Sequence, residues 1–237
     1  MIIKGLRYCF YMMTMRLKGI KYNRLKKSMG TNCSEQYMKK LLKDWVLFTK
    51  EITEMNIETI GSENIPNEPC VFIANHQSIL DIPTIFISNN KDIKFIGKKE
   101  LLKTPFIGYW FKKGIAIPID RENPREAIKS INESIESIKN GYSIAIFPEG
   151  TRSKTSEVLD FKKGSFRIAV KSKAPIVPVS IIGTERTFKN KLKITPSKVK
   201  IIYDRPIYTD NLSKEELKNI HNITRNIIIK NKEKHLN

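Results

Sequence analysis

Short apolar runs alternate with segments of helical periodicity from about residue 57 onward. The runs are CVFIA, IKFIG, GIAIPI, SIAIF, IVPVSII and KVKIIY. Each has the length and the aliphatic content of a buried strand. Nearly continuous apolar strands separated by helices are typical of parallel sheets that are covered on both faces. The pattern therefore predicts an α/β fold, with a mostly parallel sheet flanked by helices, over residues 56–237.

Two helices of this region have recognisable ends. Asn123 is placed to cap a helix that begins at Pro124 and stops at Gly141. Ser213 and Glu216 have the spacing of a capping box, which predicts a C-terminal helix. The predicted apolar faces consist of Ile128, Ile131, Ile135 and Ile138 in the first helix, and of Leu217, Ile220, Ile223 and Ile227 in the second.

Residues 1–55 follow a different pattern, in which Lys and Arg are interleaved with bulky apolar side chains. Helical periodicity continues on both sides of residues 28–32, which predicts a pair of helices joined there. Basic amphipathic helices either lie in a membrane interface or pack on the rest of the protein, and periodicity does not distinguish the two. No stretch reaches the roughly 18 uncharged apolar residues of a spanning helix, so we expect no transmembrane span.

The charge balance favours a polyanionic partner. The chain has 43 Lys and Arg against 24 Asp and Glu, a formal net charge of +19. Three kinds of partner carry the dense negative charge that such a basic protein attracts: nucleic acid, an anionic membrane surface and phosphorylated substrates. The 3 cysteines have neither metal-ligand spacing nor an even count, so we predict no metal site, no disulfide framework and a reducing compartment.

Polar residues follow the first apolar run directly, in the segment NHQSILD. His76 and Asp81 would be separated by about 140° on one helix, so they do not share a helical face. We therefore place His76 in the turn before a helix, with Ser78 near the N-cap and Asp81 in the first turn. A carboxylate that orients one imidazole nitrogen leaves the other nitrogen able to accept a proton, as in a general base. A helix cap without catalysis explains the same spacing.

Charged groups also follow other predicted strands. FPEGTRS comes directly after SIAIF, while Lys98, Lys99 and Arg121 lie near the ends of the second and third runs. The carboxyl ends of parallel strands open on one crevice, so these groups are predicted to meet His76 there. Each basic residue taken singly is more often a solvated charge.

Taken together, these segments resemble the lysophosphatidic acid acyltransferases of the glycerolipid acyltransferase superfamily, whose mark is H-x4-D. NHQSILD is similar to their first signature, KKELLKTPFIGYWFKKGIAIPIDR to the second, FPEGTRS to the third and IVPVSI to the fourth. The resemblance covers about residues 70–182, and the form NHQS favours the second acylation step of phospholipid biosynthesis. Ala116, Pro118 and the loop SKTSEVLDFKKGS depart from the usual pattern, which leaves acyl-chain preference open.

The resemblance implies transfer of a fatty acyl group from acyl-CoA or acyl carrier protein to the sn-2 hydroxyl of lysophosphatidic acid, without a cofactor or a metal. His76, oriented by Asp81, would be the base, and no protein nucleophile would be needed. The residues implied in acceptor binding are Glu149, Gly150, Thr151 and Arg152, with Lys98, Lys99 and Arg121 helping to hold the phosphate.

The resulting interpretation is an acyltransferase domain, residues 56–237, behind a membrane-surface helix pair, residues 1–55. It predicts a peripheral or monotopic protein on the cytoplasmic face of the cell membrane, without a nucleic-acid partner. Two alternatives stay open on sequence alone. One is a related acyltransferase acting on glycerol 3-phosphate or another lysolipid, and the other is a non-enzymatic basic protein that binds nucleic acid or anionic membrane.

Overall fold

The structure, a computed structural model, describes residues 2–155, 157–188 and 194–235, with side chains from residue 4 onward. Residues 236 and 237, at the end of the predicted second region, lie outside the described residues. The strands are β1 (Met55–Ile60), β2 (Val71–Ala74), β3 (Ile93–Lys98), β4 (Ala116–Ile119), β5 (Ser143–Ile146), β6 (Ile176–Ile182) and β7 (Ser197–Tyr203). The α-helices are α1 (Ile2–Thr53), α2 (Asp81–Ile87), α3 (Ile107–Phe111), α4 (Pro124–Lys139), α5 (Arg167–Ser172) and α6 (Lys214–His235).

The seven strands form one sheet in the order β1-β7-β6-β2-β5-β3-β4. From β6 to β4 every neighbouring pair is parallel, whereas β7 runs antiparallel to β6 and parallel to β1. The predicted mostly parallel sheet is therefore confirmed. His76, Lys99, Arg121 and Glu149 all follow parallel strands, so the topology brings their segments to one edge of the sheet.

All six predicted runs form strands, but the sequence pattern missed β1. This strand lies at the edge of the sheet, where Ile57 is in register with Val199. Its side chains at Asn56, Glu58 and Thr59 are exposed, so it lacks the continuous apolar character of the other strands.

Helices cover both faces of the sheet and bury two separate apolar clusters. On one face Ile131 of α4, Ile168 of α5 and Ile228 of α6 pack on the strands, and Ile85 of α2 does so on the other face. The predicted caps are confirmed. The Asn123 side chain accepts from the two N–H groups that follow Pro124, and Ser213 and Glu216 exchange reciprocal hydrogen bonds.

The first helix is a hairpin of two arms, residues 2–29 and 31–53. Gly30 interrupts it with φ +83° and ψ −175°, a conformation that glycine adopts without a Cβ clash. The arms are antiparallel, because the Trp45 indole donates to the Tyr8 hydroxyl at 3.0 Å and the rings of Tyr11 and Phe48 stack at 3.9 Å. The predicted pair of helices and its break are thus confirmed. None of the described helices combines the length and apolar composition needed to cross a bilayer.

The inner face of the hairpin packs on the α/β region around α3. Met15 and Leu41 share a buried cluster with Trp110, and Gly19 faces the ring of Tyr109. A Cβ atom at Gly19 would lie 2.1 Å from the Tyr109 hydroxyl oxygen. The hairpin is therefore seated closely on its neighbour, while the division into two domains stays a prediction.

Gly19→Ala is expected to lower the free energy of unfolding by about 1–3 kcal/mol, because the added methyl group must displace Tyr109. Gly5→Ala is the matched control on the same arm, since no atom lies within 4 Å of its would-be Cβ. That control should raise the free energy of unfolding by roughly 0.5–1 kcal/mol through helix propensity. Urea unfolding checks both values, and equal effects of the two changes would show that the hairpin is not closely packed at Gly19.

Candidate active site

The turn that carries His76 begins where β2 is pinned to β6. Asn75 is completely buried, and its side chain bonds the main chain of Ile181 in both directions, donating to the carbonyl at 2.9 Å and accepting from the N–H at 2.8 Å. These bonds replace the ladder hydrogen bonds that the ending strand no longer makes. The chain consequently leaves the sheet at a fixed point, immediately before His76.

His76 and Asp81 form a direct pair. Nδ1 of the imidazole lies 2.7 Å from Oδ2 of the carboxylate, and the Asp81 side chain is fully buried. Because a carboxylate only accepts hydrogen bonds, Nδ1 carries a proton, and in the neutral form of the imidazole Nε2 therefore keeps its lone pair. The imidazole side chain is 17% exposed, and Nε2 bonds to no group within the described part of the chain.

The Asp81 carboxylate is held by three further donors. Oδ2 also accepts from the N–H groups of Gln77 at 2.7 Å and Ser78 at 2.9 Å, while Oδ1 accepts from the Thr184 hydroxyl. Charge-assisted bonds of this kind compensate the loss of solvation that a buried carboxylate suffers. The carboxylate is thereby fixed in one orientation toward the imidazole.

The start of α2 differs slightly from the prediction. Asp81 is the first residue of the helix and Leu80 occupies the N-cap position, whereas the Ser78 hydroxyl accepts from the Leu80 N–H at 3.3 Å. Ser78 is therefore near the helix start as predicted, but it is not the cap itself. Pro83 lies in the first turn, where its missing N–H has no intrahelical partner to lose.

The segment FPEGTRS holds His76 from three sides. The Glu149 carboxylate accepts from the His76 N–H at 2.8 Å, the Ser153 N–H donates to the His76 carbonyl at 2.8 Å, and the Phe147 ring stacks on the imidazole at 4.1 Å. Glu149 also accepts from the Leu159 N–H at 3.3 Å. Burial raises the pKa of Glu149, and these two backbone donors oppose that rise. In the structure, Glu149 therefore fixes the backbone of His76 through a hydrogen bond.

The basic residues predicted for phosphate binding lie at or after the carboxyl ends of β3, β4 and β5, and two of them have partners within the protein. Lys99 is 2.5 Å from the Asp120 carboxylate, and Arg121 donates to the carbonyl oxygen of Gly150. Gly150 has φ +76°, and a Cβ there would meet the Arg121 guanidinium at 2.6 Å. The second and third signature segments are therefore in direct contact.

The remaining predicted residues are solvent-accessible. Lys98 ends β3 with an exposed side chain, and Thr151 and Arg152 are exposed on the loop beyond Gly150. The Arg152 guanidinium makes neither an ion pair nor a hydrogen bond with any other residue that the structure describes. It is thus available to an anionic ligand.

Sequence reasoning did not single out Asn75, Ser153 or Thr184. Asn75 lies inside NHQSILD and Ser153 inside FPEGTRS, so these signature segments were the signal that could have pointed to both residues. Thr184 follows β6, 103 positions after Asp81, and only the folded sheet brings the two together. No group of three or more His, Cys, Asp or Glu side chains in the described ranges is arranged to hold a metal ion.

Comparisons with known proteins find similar sequences and a similar structure. A sequence profile described as Acyltransferase matches residues 56–182. A chloroplastic 1-acyl-sn-glycerol-3-phosphate acyltransferase of Brassica napus is 38% identical over 152 residues, which are 62% of this chain and 44% of that protein. A 1-acyl-sn-glycerol-3-phosphate acyltransferase of Saccharomyces cerevisiae is 36% identical over 167 residues, 69% of this chain and 55% of that protein. The chain thus spans about half the length of these curated relatives.

One solved structure is similar over almost its whole length. The crystal structure of the 1-acyl-sn-glycerophosphate (LPA) acyltransferase PlsC from Thermotoga maritima superposes with a TM-score of 0.77 and 29% sequence identity. The alignment covers 99% of this chain and 97% of that one, so the N-terminal hairpin and α6 fall within the aligned length.

Proposed function

Because this chain belongs to the acyltransferase family, we propose that it moves a fatty acyl group from an acyl thioester to the sn-2 hydroxyl of 1-acyl-glycerol 3-phosphate. The product would be phosphatidic acid, a phospholipid precursor. The observation that carries the proposal is the His76–Asp81 pair, 2.7 Å apart where the parallel strands end, with Nε2 not engaged by any described residue. The names of the similar proteins support the choice of acceptor.

The geometry suits direct transfer of the acyl group from the thioester to the acceptor hydroxyl. His76 Nε2 takes the proton of the sn-2 hydroxyl while that oxygen attacks the thioester carbonyl carbon. The tetrahedral intermediate then collapses, the carbon–sulfur bond breaks, and the proton on the imidazolium passes to the leaving thiolate. Asp81 stabilises the imidazolium and keeps its ring oriented through both steps. Acyl-CoA and acyl carrier protein both supply such a thioester, and a thioester-release assay with each donor distinguishes them.

The acceptor's phosphate would bind at the basic mouth of the site. Arg152 offers a planar pair of donors to phosphate oxygens, and Lys98 adds a positive charge on the neighbouring rim. Lys99 and Arg121 would contribute mainly to the local field, since their side chains already bond Asp120 and the Gly150 carbonyl. Glycerol 3-phosphate and other lysolipids present similar headgroups, so a panel of acceptors defines the preference.

The outer face of the hairpin would bring the site to the lipid surface. Five apolar side chains at 4-3-4-3 spacing on the first arm are each more than half exposed: Leu6, Phe10, Met13, Leu17 and Ile20. Arg7, Arg16 and Lys21 flank this stripe with exposed side chains, and Arg24 continues it. Apolar burial and attraction to anionic headgroups would act together, as in monotopic proteins. We place the protein peripherally on the cytoplasmic face of the cell membrane.

His76→Ala is expected to reduce kcat by about 10²- to 10⁴-fold, the usual contribution of a general base. The melting temperature should fall by only a few degrees, because Asp81 keeps its other three donors. His235→Ala, near the end of α6, is the matched control and should retain turnover. Near-normal turnover of the His76 variant would rule out the mechanism, and a variant that unfolds would instead assign His76 a structural role.

Arg152→Ala should raise the KM for lysophosphatidic acid about tenfold or more, because one charged contact contributes roughly 1.5–3 kcal/mol. The KM for the thioester should change little. Arg205→Ala is the control, since Arg205 is also exposed but follows β7, which ends away from the site. Initial rates with each substrate varied in turn provide both constants, and an equal rise in both would contradict this placement of the phosphate.

Phe10→Gln combined with Leu17→Gln should weaken binding to vesicles of phosphatidylcholine and phosphatidylglycerol at least tenfold, since two large apolar side chains lose their insertion. Val170→Gln combined with Tyr208→Gln removes exposed apolar surface elsewhere and should leave binding unchanged. Sedimentation with vesicles measures both, and added salt should weaken binding of the unaltered protein by screening. Unimpaired binding of the first variant would show that the stripe is not the membrane contact.

A further inference from the structure

A lysine outside the four signature segments lies beside Gly150, the glycine of the third segment. The Lys162 N–H donates to the Pro148 carbonyl at 3.1 Å, which joins its backbone to the turn that contains Gly150. Phe161, the preceding residue, is buried in the core, and the short 3₁₀ helix Lys163–Phe166 begins directly after Lys162. The backbone of Lys162 is therefore fixed relative to Gly150 from both sides.

The side chain of Lys162 lies against Gly150, next to the Arg121 guanidinium. A Cβ atom at Gly150 would be 3.2 Å from the Lys162 ammonium nitrogen and 2.6 Å from a guanidinium nitrogen of Arg121. The positive φ of Gly150, +76°, favours glycine, and the missing side chain allows both cationic groups to approach the same point of the backbone. Two positive charges from different loops thus border one small space.

Neither of these two charges has a carboxylate as its direct partner in the part of the chain that the structure describes. The adjacent carboxylate, that of Glu149, accepts from backbone N–H groups, and the Asp120 carboxylate lies against Lys99. Like charges repel each other, whereas both are attracted to an anion placed between them. The arrangement of Lys162 and Arg121 is consequently complementary to an anionic ligand.

We propose that Lys162 is a substrate-binding residue that contacts the acceptor's phosphate and selects a phosphate monoester over a diester. This assignment rests on the proposed function. A monoester carries about two negative charges at neutral pH because its second pKa is roughly 6, whereas a diester lacks that second ionisation. Arg121 uses one N–H on the Gly150 carbonyl and keeps the other donors of its guanidinium. Lys162 supplies the second positive charge that a dianion requires.

Lys162→Ala should raise the KM for lysophosphatidic acid about tenfold or more, the usual effect of losing one charged contact. The KM for the thioester should stay nearly unchanged. Lys163→Ala is the matched control, because Lys163 is the next residue and is also exposed, but it lines a groove with His221 of α6. Initial rates with each substrate varied in turn measure both constants. Because both lysine side chains are exposed, neither change should affect folding, which the melting temperature checks.

A second acceptor tests the choice of a monoester. The methyl ester of the lysophosphatidic acid phosphate has the same chain and hydroxyl but lacks the second ionisation. The unaltered protein should use it with a lower kcat/KM, and Lys162→Ala should reduce that preference about threefold or more, because the lost charge acts more strongly on a dianion. Lys162→Arg keeps the charge and should retain the preference. A lysine that served only packing would lower the melting temperature without changing the ratio between the two acceptors.

An unchanged ratio between the two acceptors in Lys162→Ala would overturn the proposal. A rise confined to the KM for acyl-CoA would also overturn it and would assign the ammonium to a phosphate of the donor. Calorimetric titration with sn-glycerol 3-phosphate tests the anion site without turnover, and Lys162→Ala should weaken this binding about tenfold while Lys163→Ala leaves it unchanged. Equal affinities of the three proteins would contradict the site. Absence of acyl transfer by the unaltered protein, with this Lys162-dependent binding present, would contradict the proposed function and leave the phosphate site in place.

Discussion

The site depends on one hydrogen bond, between Nδ1 of His76 and Oδ2 of Asp81. Its 2.7 Å geometry requires that the histidine lie in the turn after β2 and the aspartate at the first position of α2. Neighbouring segments fix both partners, since Glu149 and Ser153 hold the histidine backbone and Thr184 holds the second carboxylate oxygen. The parallel sheet makes this convergence possible, because it brings the carboxyl ends of β2, β5 and β6 to one edge.

Much of the fold and the central pair were predictable from the sequence, for physical reasons. Strands buried on both faces are continuously apolar, which identified six of the seven strands, and the exposed polar residues of β1 concealed the last. His76 and Asp81 are only five positions apart in the sequence, so helix geometry was sufficient to place His76 in the turn and Asp81 in the first turn of the helix. Thr184 could not be predicted in this way, because its proximity to Asp81 is a property of the tertiary fold.

The roles of the charged loop residues show the same limit. Sequence resemblance grouped Glu149 with Arg152, but the strand-to-loop turn buries the first and exposes the second. Lys99 likewise is of a residue type that commonly binds phosphate, yet its ammonium lies against the Asp120 carboxylate.

The two interpretations of the N-terminal helices, core packing and membrane contact, are compatible. One face of the hairpin packs on Trp110, while the opposite face of its first arm is an exposed apolar stripe.

The account rests on which imidazole nitrogen of His76 carries the proton. The ¹⁵N chemical shifts of histidine-labelled protein, recorded at a pH where the ring is neutral, report this directly. The account predicts a protonated Nδ1 bonded to Asp81 and an unprotonated Nε2 facing the crevice, and it predicts that Asp81→Asn disturbs this preference. A neutral ring protonated at Nε2 in the unaltered protein would leave no base directed at the acceptor hydroxyl and would contradict the account.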